Sequence, residues 1–399
     1  MRIGRPSAPA SSPTDLWKVA GRAAALALVA SCGIFAQDPA AATSAPEPPK
    51  FQAGPIKFQG YVDGYYSFNA NHPASRNNGY DRFFDIQANQ FSLNMAGFYV
   101  SMDPDPVGFT LQLGFGRGWD IFHATEPNNA PAAVPGASSS RSIVRFFPQA
   151  YLSVKPKSWK GVQLDFGKFV TSAEAELTET HLGWNYSRSL LYSNGPFYHM
   201  GARLTKPVND HWTVGVQLIN GWNNVEDNNT AKTIGLTSAV TGKKVSWYTT
   251  YYGGREVTTG PGLRHFLDNV ITLTPNDKVS AYMTYDWGID KGDYGLGRGN
   301  NNWWAANGAV KFQMSSAWAT AFRYDFYNDI DGLITGGARR HQEFTGTAEY
   351  KLTGTGNFVM RAEVRHDWAS TPFFDKGNEN GSAKSQTTAL VGFMAYFGF

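Results

Sequence analysis

The 399-residue chain has one cysteine, Cys32, so no intrachain disulfide framework can brace it. From Ile56 onward it has no sustained helical periodicity and no apolar run near the ~18–20 residues that a membrane-crossing helix needs, which excludes a helical membrane bundle. A charge surplus is also missing. The formal +3 arises in Met1–Ala36, which carries Arg2, Arg5, Lys18 and Arg22 against Asp15; without it, 31 of the 35 basic and 31 of the 32 acidic residues remain. That balance argues against a nucleic-acid partner. Charged residues make up only 17% of the chain while aromatics reach 15%, with 42 glycines. A polar interior, aromatic girdles and Gly-rich turns account for such a mixture in a membrane β-barrel.

The first 36 residues have the form of a secretory signal peptide: a basic stretch through Arg22, then the short apolar run Ala23–Ala36. Cleavage after Ala36 is expected, and a lipidated Cys32 in Val29-Ala30-Ser31-Cys32 is the alternative route. Residues 37–55, rich in Ala and Pro, read as an extended linker, and 56–399 as one barrel.

Alternation predicts an all-β, transmembrane, antiparallel up-and-down barrel of about sixteen strands. The stretch Thr387–Phe399 is the clearest of them, with Ala389, Val391, Phe393, Ala395, Phe397 and Phe399 on one face. Its length suits one tilted crossing, roughly 9–11 residues, and its end suits the signal that barrel-assembly machinery reads. The other strands begin with Phe58–Asn69 and alternate short turns with long polar loops, as in barrels with periplasmic turns and extracellular loops. Strand boundaries are expected at Phe146–Lys155 for the fourth and Phe344–Leu352 for the fourteenth. This places the chain in the bacterial outer membrane, with lipid as one partner and small hydrophilic solutes or ions as the other. A homotrimer is compatible with the size.

If the apolar faces meet lipid, the opposite faces line the lumen. They carry Asp63, Asp165, Arg203, Arg323, Asp325, Arg361 and Arg365, together with Gln112, Asp268, Asp286, Glu349 and Glu363. A lumen about sixteen strands wide leaves an aqueous channel. The longest loop, Thr171–Tyr198, carries Glu174, Glu176 and Glu179. Folded inward, it would set these carboxylates against Arg203 or Arg145 as a transverse field; lying over the mouth, it would leave them solvated. Small inward glycines such as Gly114 and Gly201 argue against plugging by wall side chains. The eight histidines are scattered and no nucleophile elbow accompanies them, so no catalytic site, metal site or cofactor is expected.

Four stretches carry a family resemblance: GYVDGYYSFN (Gly60–Asn69), LDFGKFVTSAEAE (Leu164–Glu176), NYSRSLLYSNGPFYHMGARL (Asn185–Leu204) and RYDFYND (Arg323–Asp329). They resemble the putative β-barrel porin-2 (OmpL-like) family across most of the chain after the linker. The resemblance implies an outer-membrane channel and offers no catalytic residues. A barrel with an occluded lumen serving a structural or adhesive role, and a barrel hydrolase, are the competing readings.

Overall fold

The computed structural model describes residues 51–79, 82–124, 144–257, 260–292, 299–354 and 356–399. The leader, Cys32 and nearly all of the linker lie outside the described residues.

Sixteen antiparallel strands close on themselves. They are β1 (Ile56–Asn69), β2 (Gln90–Met102), β3 (Val107–Phe115), β4 (Gln149–Val154), β5 (Gln163–Val170), β6 (Tyr198–Asn209), β7 (Trp212–Ile219) and β8 (Thr233–Thr241). The second half is β9 (Val245–Gly254), β10 (Arg264–Asn276), β11 (Val279–Asp290), β12 (Asn301–Gln313), β13 (Trp318–Asp329), β14 (Arg339–Thr353), β15 (Asn357–Ala369) and β16 (Ser385–Phe397). Each pairs with its sequence neighbour, and β16 closes the ring on β1 with Ala389 opposite Phe68 and Phe397 opposite Gly60. Closure satisfies every ladder group at membrane depth and leaves no open edge. Short connections of two to eight residues lie on one rim and long ones of nine to 33 on the other, and the longest joins β3 to β4, because β4 starts late at Gln149, instead of the expected loop Thr171–Tyr198.

Strand β13 shows why this sequence must face both ways. Trp318, Phe322 and Tyr324 point out and are exposed, while Arg323, Asp325 and Asp329 point in and are buried. A one-residue slip would put Arg323 into lipid at a cost of about 2–4 kcal/mol near mid-depth, so register is tightly specified. Outward residues such as Phe91 (85% exposed) and Leu93 (67%) form the lipid-facing surface.

Three expectations are corrected. The fourth strand starts at Gln149, because Val144–Phe146 is a 3-10 turn and Pro148 lacks the N–H that a ladder requires. The fourteenth begins at Arg339, five residues before Phe344, which places Glu343 on the inner face. The last strand ends at Phe397. Gly398 takes a positive φ of 78° and swings Phe399 inside, where it packs on Tyr61 and Tyr99, so Phe399 does not share the lipid face. Three long loops also carry structure: helix α1 (Arg117–Phe122), helix α2 (Leu190–Asn194), and a hairpin of Phe374–Lys376 with Glu379–Ala383.

Candidate functional site

The loop between β5 and β6 folds into the barrel. Its irregular backbone is buried, so each N–H and C=O needs a partner, and the inward charges of β13–β15 supply them. Tyr186 and Ser187 donate their N–H groups to Glu363 at 2.6 and 3.1 Å, and Leu190 donates to Asp325 at 2.8 Å. Arg361 donates to the carbonyls of Thr180 (2.6 Å), Asn185 (3.0 Å) and Gly183. Arg323 reaches the Ser187 carbonyl at 2.8 Å and Arg365 the Arg188 carbonyl at 2.7 Å. Within the loop, buried Arg188 donates to the carbonyls of Leu177, Tyr186 and Thr178 and so holds its fold.

The far wall grips the loop through neutral groups. Thr250 donates to the Ser172 carbonyl at 2.9 Å, Gln217 donates to its hydroxyl at 2.9 Å, and the Tyr252 hydroxyl accepts its N–H at 3.2 Å. The loop therefore spans the lumen from one wall to the other. Wall shape admits it as well. Gly392 lies inward on β16, where a Cβ would overlap the Tyr186 ring, and Leu390 and Met394 pack on that ring.

Behind these anchors run two sets of buried charge. Arg323 bonds Glu343 at 2.9 Å and Glu176 at 2.7 Å, and Arg365 bonds Asp367 at 2.6 Å. Arg82, from the first long loop, joins Asp367 at 3.0 Å and also pairs with Asp85. Arg361 and Lys311 share Glu349 at 2.7 and 3.4 Å. Such pairs offset their desolvation only while every member is present.

The predicted site residues thus fall into place unevenly. Glu176 meets Arg323 and Tyr282, and Glu179 accepts from Gln112 (2.8 Å) and Tyr99. Arg323, rather than Arg203 or Arg145, is the cation the structure sets against the acidic run. Arg203 is turned to Asp165 at 2.8 Å, and Arg145 lies 4.8 Å over the Phe146 ring. Asp63 accepts the Met95 N–H at 2.8 Å, beside a one-residue register shift. Glu174 sits with Asp268 and Asp286. Sequence reasoning missed Glu343, just beyond the expected strand start, and Arg188, which no pattern marks as a staple.

Apolar side chains fill much of what remains. Leu190 and Leu191 pack with Phe169, Phe266, Trp303 and Tyr327, and Tyr192 joins Phe84, Trp119 and Phe122 nearer the long-loop rim. A Cβ at Gly114 would meet Trp119, so at that position the small wall residue accommodates a ring from a loop and leaves no open space.

At the short-turn end, His181 is enclosed by the rings of Tyr61 (4.9 Å), Tyr396 (4.6 Å) and Phe399 (4.4 Å). Burial, then the charges of Arg361, Arg188 and Lys351, holds its pKa down to about 3. Undocked, His181 would take up a proton near pH 6.5. Its contribution to docking is therefore complete above that pH and is lost as pH falls from 6.5 toward 3. Limited proteolysis of the loop should accelerate between pH 7.5 and 4.5, and less so in His181→Phe. Identical acid sensitivity in both proteins would refute this role for His181.

The model of the family described as putative beta-barrel porin-2, OmpL-like, matches residues 55–397. No curated protein matches the sequence. Among solved structures, the chain is similar to an anion-selective porin from Comamonas acidovorans (TM-score 0.55, 11% identity, 86% of this chain and 99% of that one). It is also similar to the outer membrane channel DcaP of Acinetobacter baumannii (TM-score 0.54, 11% identity, 88% and 99%). A third is the trimer form of OmpT, an outer membrane protein of Vibrio cholerae (TM-score 0.51, 11% identity, 86% and 98%). At these identities the likeness establishes the fold alone.

Proposed function

This chain belongs to the putative beta-barrel porin-2 (OmpL-like) family of the bacterial outer membrane, and we propose that it is a narrow porin for small, hydrophilic, mostly uncharged solutes. The observation that carries this reading is the loop 171–198, tied across the lumen by Glu363, Asp325, Arg361 and Arg323. Those wall charges are engaged by the loop, so they contribute little to an ion filter. The route we assign passes the inward hydroxyls of Thr272 and Ser280 at the short-turn ends of β10 and β11, away from the loop's anchors at Thr250 and Tyr252. Hydroxyls exchange hydrogen bonds with water and sugars without selecting charge.

In planar bilayers the folded protein should give small, stepwise conductance with a reversal potential near zero in a salt gradient. A strongly ion-selective current would refute the neutral route, and a folded barrel that never conducts would refute the channel and favour an occluded structural barrel.

The oligomer we assign is a homotrimer, the form in which the Vibrio cholerae protein was also found. Small residues Gly346, Ala348, Ala362 and Ala389 floor a hollow of about 580 Å³ on the lipid face, between Phe322 and Phe68. Close approach of a second barrel is easiest there. The mass of the same preparation by light scattering tests this, and a monomer would refute it.

A further inference from the structure

One cluster of carboxylates in the lumen has no cationic side chain paired with it among the described residues. Asp268 on β10 stands directly opposite Asp286 on β11, a like-charged cross-strand pair that is unfavourable by itself. Glu174, from the start of the inward loop, completes a triad whose ligand atoms all lie within 4.8 Å of one another. All three side chains are nearly or fully buried, Glu174 at 3% exposure, Asp268 at 0% and Asp286 at 2%. Both carboxylate oxygens of Glu174, both of Asp268 and Oδ1 of Asp286 lack any hydrogen-bond partner. Among the described residues no Lys, Arg or His forms an ion pair with any of the three, whereas Glu176, two residues along the same loop, has Arg323. Five acceptor oxygens without a donor, converging on one point, call for either protons or a cation there.

We propose that Glu174, Asp268 and Asp286 bind a calcium ion that clips the start of the inward loop to the wall of β10 and β11. The chemistry is that of a hard cation: oxygen ligands only, with three carboxylates offering up to six donor atoms. The span also fits. Two ligands on opposite sides of Ca²⁺, each at about 2.3–2.6 Å, lie about 4.6–5.2 Å apart, and the buried carboxylates offer the high oxygen count that calcium takes without the several waters that Mg²⁺ keeps. Glu174 holds a left-handed backbone with φ of 77°, a costly conformation for a non-glycine residue that a metal ligand held from two sides can maintain. Gly195 leaves room for the carboxylate, since a Cβ there would come within 3.2 Å of its Oε1.

Protons are the competing occupant. Burial, then Asp268, pushes the Glu174 carboxyl well above the usual carboxylate range. The clip complements the charged anchors on β13–β15, so the loop is held from both sides. Calcium binding goes beyond the porin reading and is measured without any current.

The test uses full-length protein refolded in detergent without lipopolysaccharide, stripped with EDTA and then equilibrated with ⁴⁵Ca²⁺ at pH 7.5. One ion per barrel is expected. The Asp268→Asn/Asp286→Asn protein should retain none at that site. If the double variant does not fold, Glu174→Gln, which lies outside every strand, should weaken binding by roughly tenfold or more. A wild-type barrel without stoichiometric calcium overturns the proposal in favour of a protonated triad. Full binding by the variants overturns it in favour of an ion held elsewhere. A barrel that binds calcium but does not conduct would refute the channel reading and leave this site standing.

Discussion

Excision of residues 175–190, with a short Gly-Ser bridge in their place, is expected to raise single-channel conductance several-fold and to admit sugars that the native protein excludes. The excised segment is the crossbar that links Glu363, Asp325 and Arg361 on one wall to the far side of the lumen. Without it, a sixteen-stranded ring is wide enough for an aqueous channel. The barrel should survive. The freed wall charges still pair with one another, as Arg361 does with Glu349 and Arg323 with Glu343, and water reaches whatever remains. A milder version is Gly392→Val, whose Cβ would displace the Tyr186 ring and loosen the same crossbar while leaving its sequence intact. Unchanged conductance and sugar exclusion in the excised protein would mean that the narrow point lies elsewhere. The cluster of Phe84, Trp119 and Phe122 toward the long-loop rim would then be the next candidate.

The largest stability loss is expected from Arg323→Met. This guanidinium is fully buried and serves Glu176 at 2.7 Å, Glu343 at 2.9 Å and the Ser187 carbonyl at 2.8 Å. Removing it leaves two carboxylates in the interior short of a partner, with Asp325 close by at 3.5 Å from the same nitrogen. Loss of one member of a buried ionic set typically costs about 3–5 kcal/mol, mostly through the charge left behind. Urea unfolding in lipid vesicles, followed by tryptophan fluorescence, should show a lower midpoint. Arg365→Lys is the control, since it keeps a cation beside Asp367 and Glu343 and should cost much less. Equal stability of wild type and Arg323→Met would mean that water reaches these charges freely and that the loop does not depend on them.

Much of the architecture was legible because one face of every strand meets lipid. Period-two alternation, such as Trp318-Ala319-Thr320-Ala321-Phe322-Arg323 in β13, encodes direction and register locally, and short turns between alternating runs encode antiparallel order. The strand count and the inward set could therefore be read along the chain, including Asp63, Asp165, Arg203, Arg361 and Arg365, all of them buried. Aromatic starts misled at the boundaries: Phe146 begins a 3-10 turn, and Phe344 hid Glu343. Phe399 continued the alternation on paper but turns inward, because Gly398 ends the extended backbone just before it.

The site was legible only in outline. The loop 171–198 was marked by length and by Glu174, Glu176 and Glu179, but the sequence left two positions open for it, inside the lumen or over the mouth. Its docking depends on acceptors and donors up to 181 residues away, such as Arg361 against the Thr180 carbonyl, and no local pattern encodes a contact at that separation. By itself the sequence determined the closed barrel, because burial against lipid is a property of each strand taken alone. Only the tertiary structure decided that the wall charges hold a loop and that Glu176 meets Arg323. It alone set Glu174 beside Asp268 and Asp286, because pairing of buried charges is a property of which strands the barrel brings opposite the loop.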